Sequence, residues 1–276
     1  MRRPLKRLDK ALVEEGYADS RIHAQELIRE GHVRIAGFTA DKPASLVPEG
    51  AKIEVEKGSR EWVSRGAYKL LKGLETWGIN PAGSSCIDIG ASTGGFTDVL
   101  LSRGAQRVAA VDVGYGQLAW KLRQNPRVIV FERTNARYIS QETIGWQADL
   151  IVSDASFISL RLLLPALQGL LKRSGEMILL VKPQFEVGKE RVGRGVVRDP
   201  MLHLDVLEAL SCFITESTAL ELKDATYSPI RGPEGNIEFL FYVCLKNDAA
   251  GENLKKSVIH FENLVEEAHK SVSQPQ

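Results

Sequence analysis

The stretch Cys86–Leu101, CIDIGASTGGFTDVLL, joins two apolar runs through a glycine-rich turn. Gly90, Gly94 and Gly95, with Ala91, Ser92 and Thr93 among them and Phe96 behind, let a backbone approach a ligand closely and aim helix-terminal N–H groups at it. A phosphate, a dinucleotide and S-adenosylmethionine all suit such a turn. No Gly-Lys-Ser/Thr is present to hold a β- or γ-phosphate, and the spacing is Gly-x-x-x-Gly-Gly rather than the Gly-x-Gly-x-x-Gly of dinucleotide folds. Asp88, just before the turn, repels a pyrophosphate but attracts a cation, and S-adenosylmethionine carries both an ammonium and a sulfonium. Asp112 ends the next apolar run, where a carboxylate can accept from ribose hydroxyls, and Asn135, after the third, can meet an adenine edge. Taken in order, these residues favour S-adenosylmethionine.

Four further side chains fall near ligand-facing ends of expected elements: Lys69 on the helix before the first strand, Asp154 after the fourth strand, Lys182 after the fifth, and Glu238 in the final hairpin. A single charge in such a place is most often solvated. Lys182 is harder to dismiss, because it directly follows the apolar run Met177–Val181 and precedes Pro183, so its side chain leaves the sheet at the expected cleft. Asp154 stands in the same kind of position. Cys86, Cys212 and Cys244 form no pairing or Cys/His spacing that suggests a disulfide framework or a zinc site, and no metal is expected.

The elements that must carry these residues follow from periodicity. Ser85–Ile89, Arg107–Val111, Val128–Phe131, Leu150–Ser153 and Met177–Val181 are short apolar strands separated by helical segments, which argues for an α/β fold with a parallel, doubly wound sheet. Ligands then sit at the carboxyl ends of the strands. The last two strands, about Glu221–Tyr227 and Ile237–Leu245, flank a Pro- and Gly-rich turn and are expected as an antiparallel hairpin at one edge.

Ahead of this domain, Leu5, Leu8 and Leu12 recur at helical spacing up to Gly16. Ser20 is placed to cap a second helix through Ala24, Leu27 and Ile28, and Gly31 stops it. A strand at 32–37, a turn at Pro48–Gly50 and the alternating run Lys52–Glu56 complete a small α+β module. Its polar positions leave Lys6, Arg7, Arg21, Arg29 and Arg34 able to track a phosphate backbone. At the other end Leu254, Val258, Phe261, Val265 and Ala268 are spaced as an amphipathic helix packed on the sheet. The expected divisions are 1–59, a linker at 60–63, 64–246, and a C-terminal helix and tail at 247–276.

Composition sets limits on function. The 276 residues are 43% hydrophobic with a formal charge of +1, so no bulk charge argues for nucleic acid and any basic surface is local. Arg2, Arg3, Lys6 and Arg7 form one cluster; Lys182, Lys189, Arg191, Arg194 and Arg198 outnumber Glu186 and Glu190 in another. The apolar runs fall far short of the ~20 residues of a membrane helix, and no signal-type segment follows the basic start. A soluble, cytoplasmic protein is expected, with no membrane partner.

The segment Ser20–Gly37, SRIHAQELIREGHVRIAG, resembles the RNA-binding module named for small-subunit ribosomal protein S-four, across residues 5–57. That resemblance implies recognition of structured RNA by shape and phosphate contacts. Lys69, Asp154, Lys182 and Glu238 match in order the Lys-Asp-Lys-Glu tetrad of FtsJ-like ribose 2′-O-methyltransferases. With Val63–Lys69, Asp88–Gly95, Val181–Glu186 and Gly195–Pro200, the whole chain is similar to the TlyA (haemolysin A) family of rRNA methyltransferases. The resemblance implies a Rossmann-like sheet, S-adenosylmethionine as cofactor, ribosomal RNA or subunits as partners, and methylation of cytidine riboses in small- and/or large-subunit rRNA. Arg65 and Lys189 join the RNA-facing set on the same ground, and Asp154 serves both cofactor and catalysis.

A ribose hydroxyl is a weak acid, so its attack on a sulfonium methyl needs a nearby base and a charged environment. Lys182 is the expected base. Exclusion from water and the like charge of Lys69 favour its neutral amine, whereas Asp154 and Glu238 oppose it. Lys69 and Asp154 position the hydroxyl, and Glu238 fixes the lysines. Two rival readings are a non-catalytic RNA-binding protein on the same fold and a membrane-lytic haemolysin.

Overall fold

The computed structural model describes residues 4–18, 21–29, 31–55, 62–188, 195–246 and 259–271. Lys189, Leu254, Val258 and the capping position Ser20 lie outside these residues, as does the side chain of Arg29.

In the first module β1 (Leu5–Arg7) leads into α1 (Leu8–Glu14), followed by α2 (Arg21–Arg29), β2 (Val33–Ile35), β3 (Phe38–Thr39), β4 (Leu46–Pro48) and β5 (Ile53–Val55). Leu5 departs from the expected helix. Its backbone runs antiparallel to β4, with Leu5 opposite Pro48, and Pro4 accepts from the Glu49 N–H at 3.0 Å. Pairing across the module outweighs a helical spacing that local propensity alone supports, and the Leu5 side chain is left exposed. Leu8, Ala11 and Leu12 of α1 meet Ala24, Leu27 and Ile28 of α2 over Val33, Val47 and Ile53. Strands β3, β2 and β5 form a small antiparallel sheet beside them.

The second domain runs α3 (Ala67–Trp77), β6 (Ser85–Ile89), α4 (Gly95–Ser102), β7 (Arg107–Val111), α5 (Trp120–Arg123), β8 (Val128–Phe131), α6 (Gln141–Ile144), β9 (Ala148–Ser153), α7 (Leu160–Leu170), β10 (Leu171–Val181), α8 (Pro183–Glu186), α9 (Pro200–Ser217), β11 (Leu220–Tyr227), β12 (Phe239–Leu245) and α10 (Phe261–Ser271). Its sheet has the order β11-β12-β10-β9-β6-β7-β8. The strands from β8 to β10 are parallel, and β12 lies antiparallel between β10 and β11. The expected edge hairpin therefore forms, with β11 outermost.

Both faces of the sheet are covered, which explains why its strands read as nearly unbroken apolar runs. One face packs Leu70 and Leu74 of α3 and Val99 and Leu100 of α4. The other packs Leu163, Leu164 and Leu167 of α7, Leu207 and Leu210 of α9, and Val265 and Ala268 of α10. Phe261 stacks on Phe241 of β12, ring centroids 6.0 Å apart, so α10 lies on the sheet as its apolar spacing indicates, but the helix begins only at Phe261, with residues 259 and 260 outside it. Trp62 and Val63 already pack on the second domain, and the Val63 N–H donates to Asp98 Oδ2 at 2.9 Å. Among the described residues no helix is long and apolar enough to cross a membrane.

Strand order reverses beside β6: the chain steps outward through β7 and β8, then returns to the other side of β6 as β9. A crevice opens where carboxyl-end loops diverge at such a reversal. The loops there begin at Gly90 and Asp154.

Candidate active site

Each loop is tied at its start to the end of a neighbouring strand. The Asp154 N–H donates to the Ile89 carbonyl at 2.9 Å, and the Gly90 N–H to the Val111 carbonyl at 2.8 Å. Gly90 holds φ +78°, and a Cβ on it would stand 2.9 Å from the Ala155 backbone. Gly94, at φ +99°, has no room for a Cβ against Leu118 and Leu122. These two glycines therefore let protein segments close on one another, beside any close approach of a ligand that the sequence suggests.

The cleft between the loops holds about 450 Å³ and is lined by Asp88, Gly90–Thr93, Gly95, Phe96, Lys69, Asp154 and Lys182. Asp88 at the end of β6 is fully buried; its Oδ2 accepts from Thr97 Oγ1 at 2.7 Å, while Oδ1 has no partner among the described residues. Burial pushes this carboxyl up to about 7, against the hydrogen bond from Thr97 and with some help from Asp154. A buried carboxylate with an unused oxygen, on a residue that lines a cleft, is suited to an organic cation. The donor set thus fits the ammonium end of an S-adenosylmethionine-type molecule.

Lys69, Asp154, Lys182 and Glu238, far apart in sequence, form one chain of charges. Glu238 Oε2 lies 2.7 Å from Lys69 Nζ, Lys69 Nζ 3.5 Å from Asp154 Oδ2, and Lys182 Nζ 2.6 Å from Asp154 Oδ1. Both lysines are 6% exposed and Glu238 is fully buried. Burial opposes the charge on Lys69, but Asp154 and Glu238 outweigh it and hold the ammonium more firmly than usual. Burial likewise opposes the charge on Asp154, and the two lysines keep it below the ordinary carboxylate range. Glu238 pairs with Lys69 alone of the two lysines, which narrows its expected part in fixing both. Lys182 also donates to Ser156 Oγ at 2.6 Å and to the Asp154 carbonyl at 3.2 Å.

Other expected cofactor residues stand outside this cleft. Asp112 Oδ2 accepts from the Ser92 N–H at 2.8 Å and Oδ1 from the Gly114 N–H at 2.7 Å, so it organises the turn from a small adjoining cavity. Asn135 Oδ1 caps a short helical turn by accepting from the Arg137 N–H at 3.0 Å and does not line the cleft. Ser64, Ser156, Arg231 and Glu234 do line it and were not singled out from sequence. The Pro- and Gly-rich Arg231–Gly235 turn, the nearness of Ser156 to Asp154 and the place of Ser64 within Val63–Lys69 offered the signals for them.

The basic residues fall in two places. Arg65 lines the cleft and donates to the Arg231 carbonyl at 2.9 Å. In the first module Arg7 and Arg21 converge on the buried carboxylate of Asp9, at 2.8 and 3.0 Å, with Gln25 at 3.0 Å. Lys6 pairs with Glu14, and Arg34 is exposed on β2.

A glycine turn and a Lys-Asp-Lys-Glu cluster at the switch point of a seven-stranded sheet define a methyltransferase, and the family model of the FtsJ-like methyltransferase matches residues 62–246. The S4 domain matches residues 6–53. A Mycobacterium tuberculosis protein named 16S/23S rRNA (cytidine-2′-O)-methyltransferase TlyA is 51% identical over 250 residues, 88% of this chain and 91% of its own. A Campylobacter jejuni protein named 23S rRNA (cytidine-2′-O)-methyltransferase TlyA is 41% identical over 206 residues, 73% of this chain and 77% of its own. The solved structure of a Streptococcus thermophilus protein carrying a hemolysin name has a TM-score of 0.74 and 39% identity, covering 97% of each chain. This chain belongs to the TlyA (haemolysin A) family of FtsJ-like methyltransferases, and that membership implies a methyl donor of the S-adenosylmethionine type.

Proposed function

We propose that this enzyme transfers a methyl group to the ribose 2′-hydroxyl of cytidine in small- and/or large-subunit ribosomal RNA. The observation that carries the reading is one cleft lined by Asp88, Lys69, Asp154 and Lys182, with Glu238 buried behind it against Lys69. When bound, S-adenosylmethionine supplies an electrophilic methyl on sulfur. Asp88 holds its ammonium, the backbone from Gly90 to Phe96 shapes its bed, and Asp112 keeps that bed folded with two acceptor sites still open to a ribose hydroxyl. Asn135 lies farther off, with its amide nitrogen available to an adenine edge.

Lys182 is the base: its amine, which reaches three acceptors in the structure, gives up one of those bonds and takes the 2′-hydroxyl proton while the alkoxide develops. Lys69 stays charged and stabilises that alkoxide, Asp154 spaces the two amines, and Glu238 fixes Lys69. No metal enters this sequence of events. Residues 1–59 act as the RNA-binding module, with Lys6, Arg7, Arg21, Arg29 and Arg34 as its phosphate-binding set, and Arg65, which lines the cleft, and Lys189 join that set. Residues 64–246 carry the reaction, and 247–276 supply α10 and the tail. Action on ribosomal RNA makes the cytoplasm the enzyme's expected compartment.

The names of the relatives differ in subunit, 16S and 23S against 23S alone, so the test uses both. Purified protein is incubated with small or large ribosomal subunits and methyl-labelled S-adenosylmethionine, and the RNA is digested to nucleosides. Label in 2′-O-methylcytidine is the expected result. Label in a base, or none in either subunit, contradicts the reading.

A further inference from the structure

Lys182 sits where two loops touch. The loop after β9 contributes Asp154 and Ser156 to its amine, while the lysine itself begins the loop after β10. The β9–β10 ladder pairs the strands as far as Ser153 opposite Leu179 and leaves the position of the two loops beyond it to side-chain contacts. Phe157 sharpens the problem, because it holds φ +64° and is 90% exposed, a backbone state that a bulky residue keeps only when its surroundings impose it.

The fastening lies one helical turn past Lys182. Glu186, the last residue of α8, directs its carboxylate back at the other loop: Oε2 accepts from Ser159 Oγ at 2.6 Å, and Oε1 from the Leu160 N–H at 2.8 Å. It thereby caps the amino end of α7, where backbone N–H groups need acceptors and a negative charge is favoured. The Phe185 ring, next to it, packs on Phe157 at 5.1 Å. The contacts close a ring: Lys182, α8, Glu186, Ser159 and Leu160, the loop back to Ser156 and Asp154, and Lys182 again. Glu186 does not line the cleft.

We infer that Glu186 is a positioning residue for methyl transfer, locking the Asp154–Ser159 loop onto α8 so that Ser156 and Asp154 aim the Lys182 amine. This rests on the reaction proposed above. A displacement of the order of 1 Å at a reacting group costs up to about 100-fold in rate, so the lock matters for the chemical step and hardly for binding.

The test is single-turnover methyl transfer to ribosomal subunits with saturating cofactor, using the full chain, alongside cofactor and RNA affinities. Glu186→Ala is expected to slow transfer by about tenfold or more, with both affinities unchanged within about twofold. Glu186→Gln retains an acceptor for Leu160 and a donor for Ser159 and should recover most of the rate. Asp199→Ala, which removes the side-chain cap of α9, controls for general destabilisation. Transfer by Glu186→Ala as fast as by Asp199→Ala overturns the inference, and so does a Gln variant as slow as the Ala variant, which would mean the carboxylate charge itself acts. If Glu186→Ala does not fold, the Gln variant and Ser159→Ala, which removes one of the two contacts, decide by the same rates. A wild-type enzyme that transfers no methyl refutes the proposed function instead.

Discussion

Two side chains in the cleft make opposite demands on charge. Lys182 must give up a proton to act as base, and Lys182→Arg tests this, because a guanidinium stays protonated and cannot accept one. Transfer should fall by roughly 10²–10⁴-fold in single-turnover kinetics, the usual span for a lost general base, with cofactor affinity kept. Arginine retaining most of the rate would leave Lys182 as an electrostatic anchor. Asp88 must instead gain charge. Its carboxyl, pushed up to about 7 by burial, holds a proton in the folded, ligand-free protein that the unfolded chain releases near pH 4. Ligand-free stability therefore declines as pH rises from about 4 to 7, and Asp88→Asn removes that decline. Thermal melts across this range should show the variant matching wild type near pH 4 and exceeding it above pH 7. Calorimetry should show cofactor affinity of the wild type rising as pH passes 7, and a weak, flat profile for the variant.

At the scale of elements, the sheet positions chemistry that lies 169 residues apart in sequence, from Lys69 to Glu238. The β11–β12 connection brings Glu238 to Lys69, and Gly232 makes room for it: a Cβ there would stand 2.1 Å from Glu238 Oε1. Gly232→Ala should displace Glu238, loosen Lys69 and lower the transfer rate by about 10- to 100-fold, with cofactor affinity intact; an unchanged rate would remove Glu238 from the working set. These elements were legible to different degrees. The central strands stood out as short apolar runs between breakers, because burial on both faces leaves no polar alternation to confuse them. Strand β1 did not, since three residues carry no period and its formation depends on β4 from the far side of the module. Gly90 was visible as a requirement, but its reason, the Ala155 backbone, belongs to another loop. Ser156 and Arg231 had only weak signals, nearness to Asp154 and a Pro- and Gly-rich turn, as tertiary closure sets their place at the cleft.

The whole molecule divides the work of finding RNA from that of modifying it. The first module has its own small core and its own charge arrangement, Arg7 and Arg21 gathered on Asp9, while the cleft belongs to the second domain. Deleting residues 1–59 is expected to leave cofactor affinity at its full value and to abolish methylation of ribosomal subunits, because phosphate contacts set the register of the complex. A truncated enzyme with full activity would reject that division. The claim joining both halves is that the buried lysine–carboxylate cluster methylates ribose on ribosomal RNA. Its most direct measurement is a map of 2′-O-methylation on rRNA from cells lacking this protein and supplied with either the wild-type chain or Lys182→Arg. At least one cytidine ribose should be methylated with the wild-type chain and bare with the variant; identical maps from the two would contradict the account.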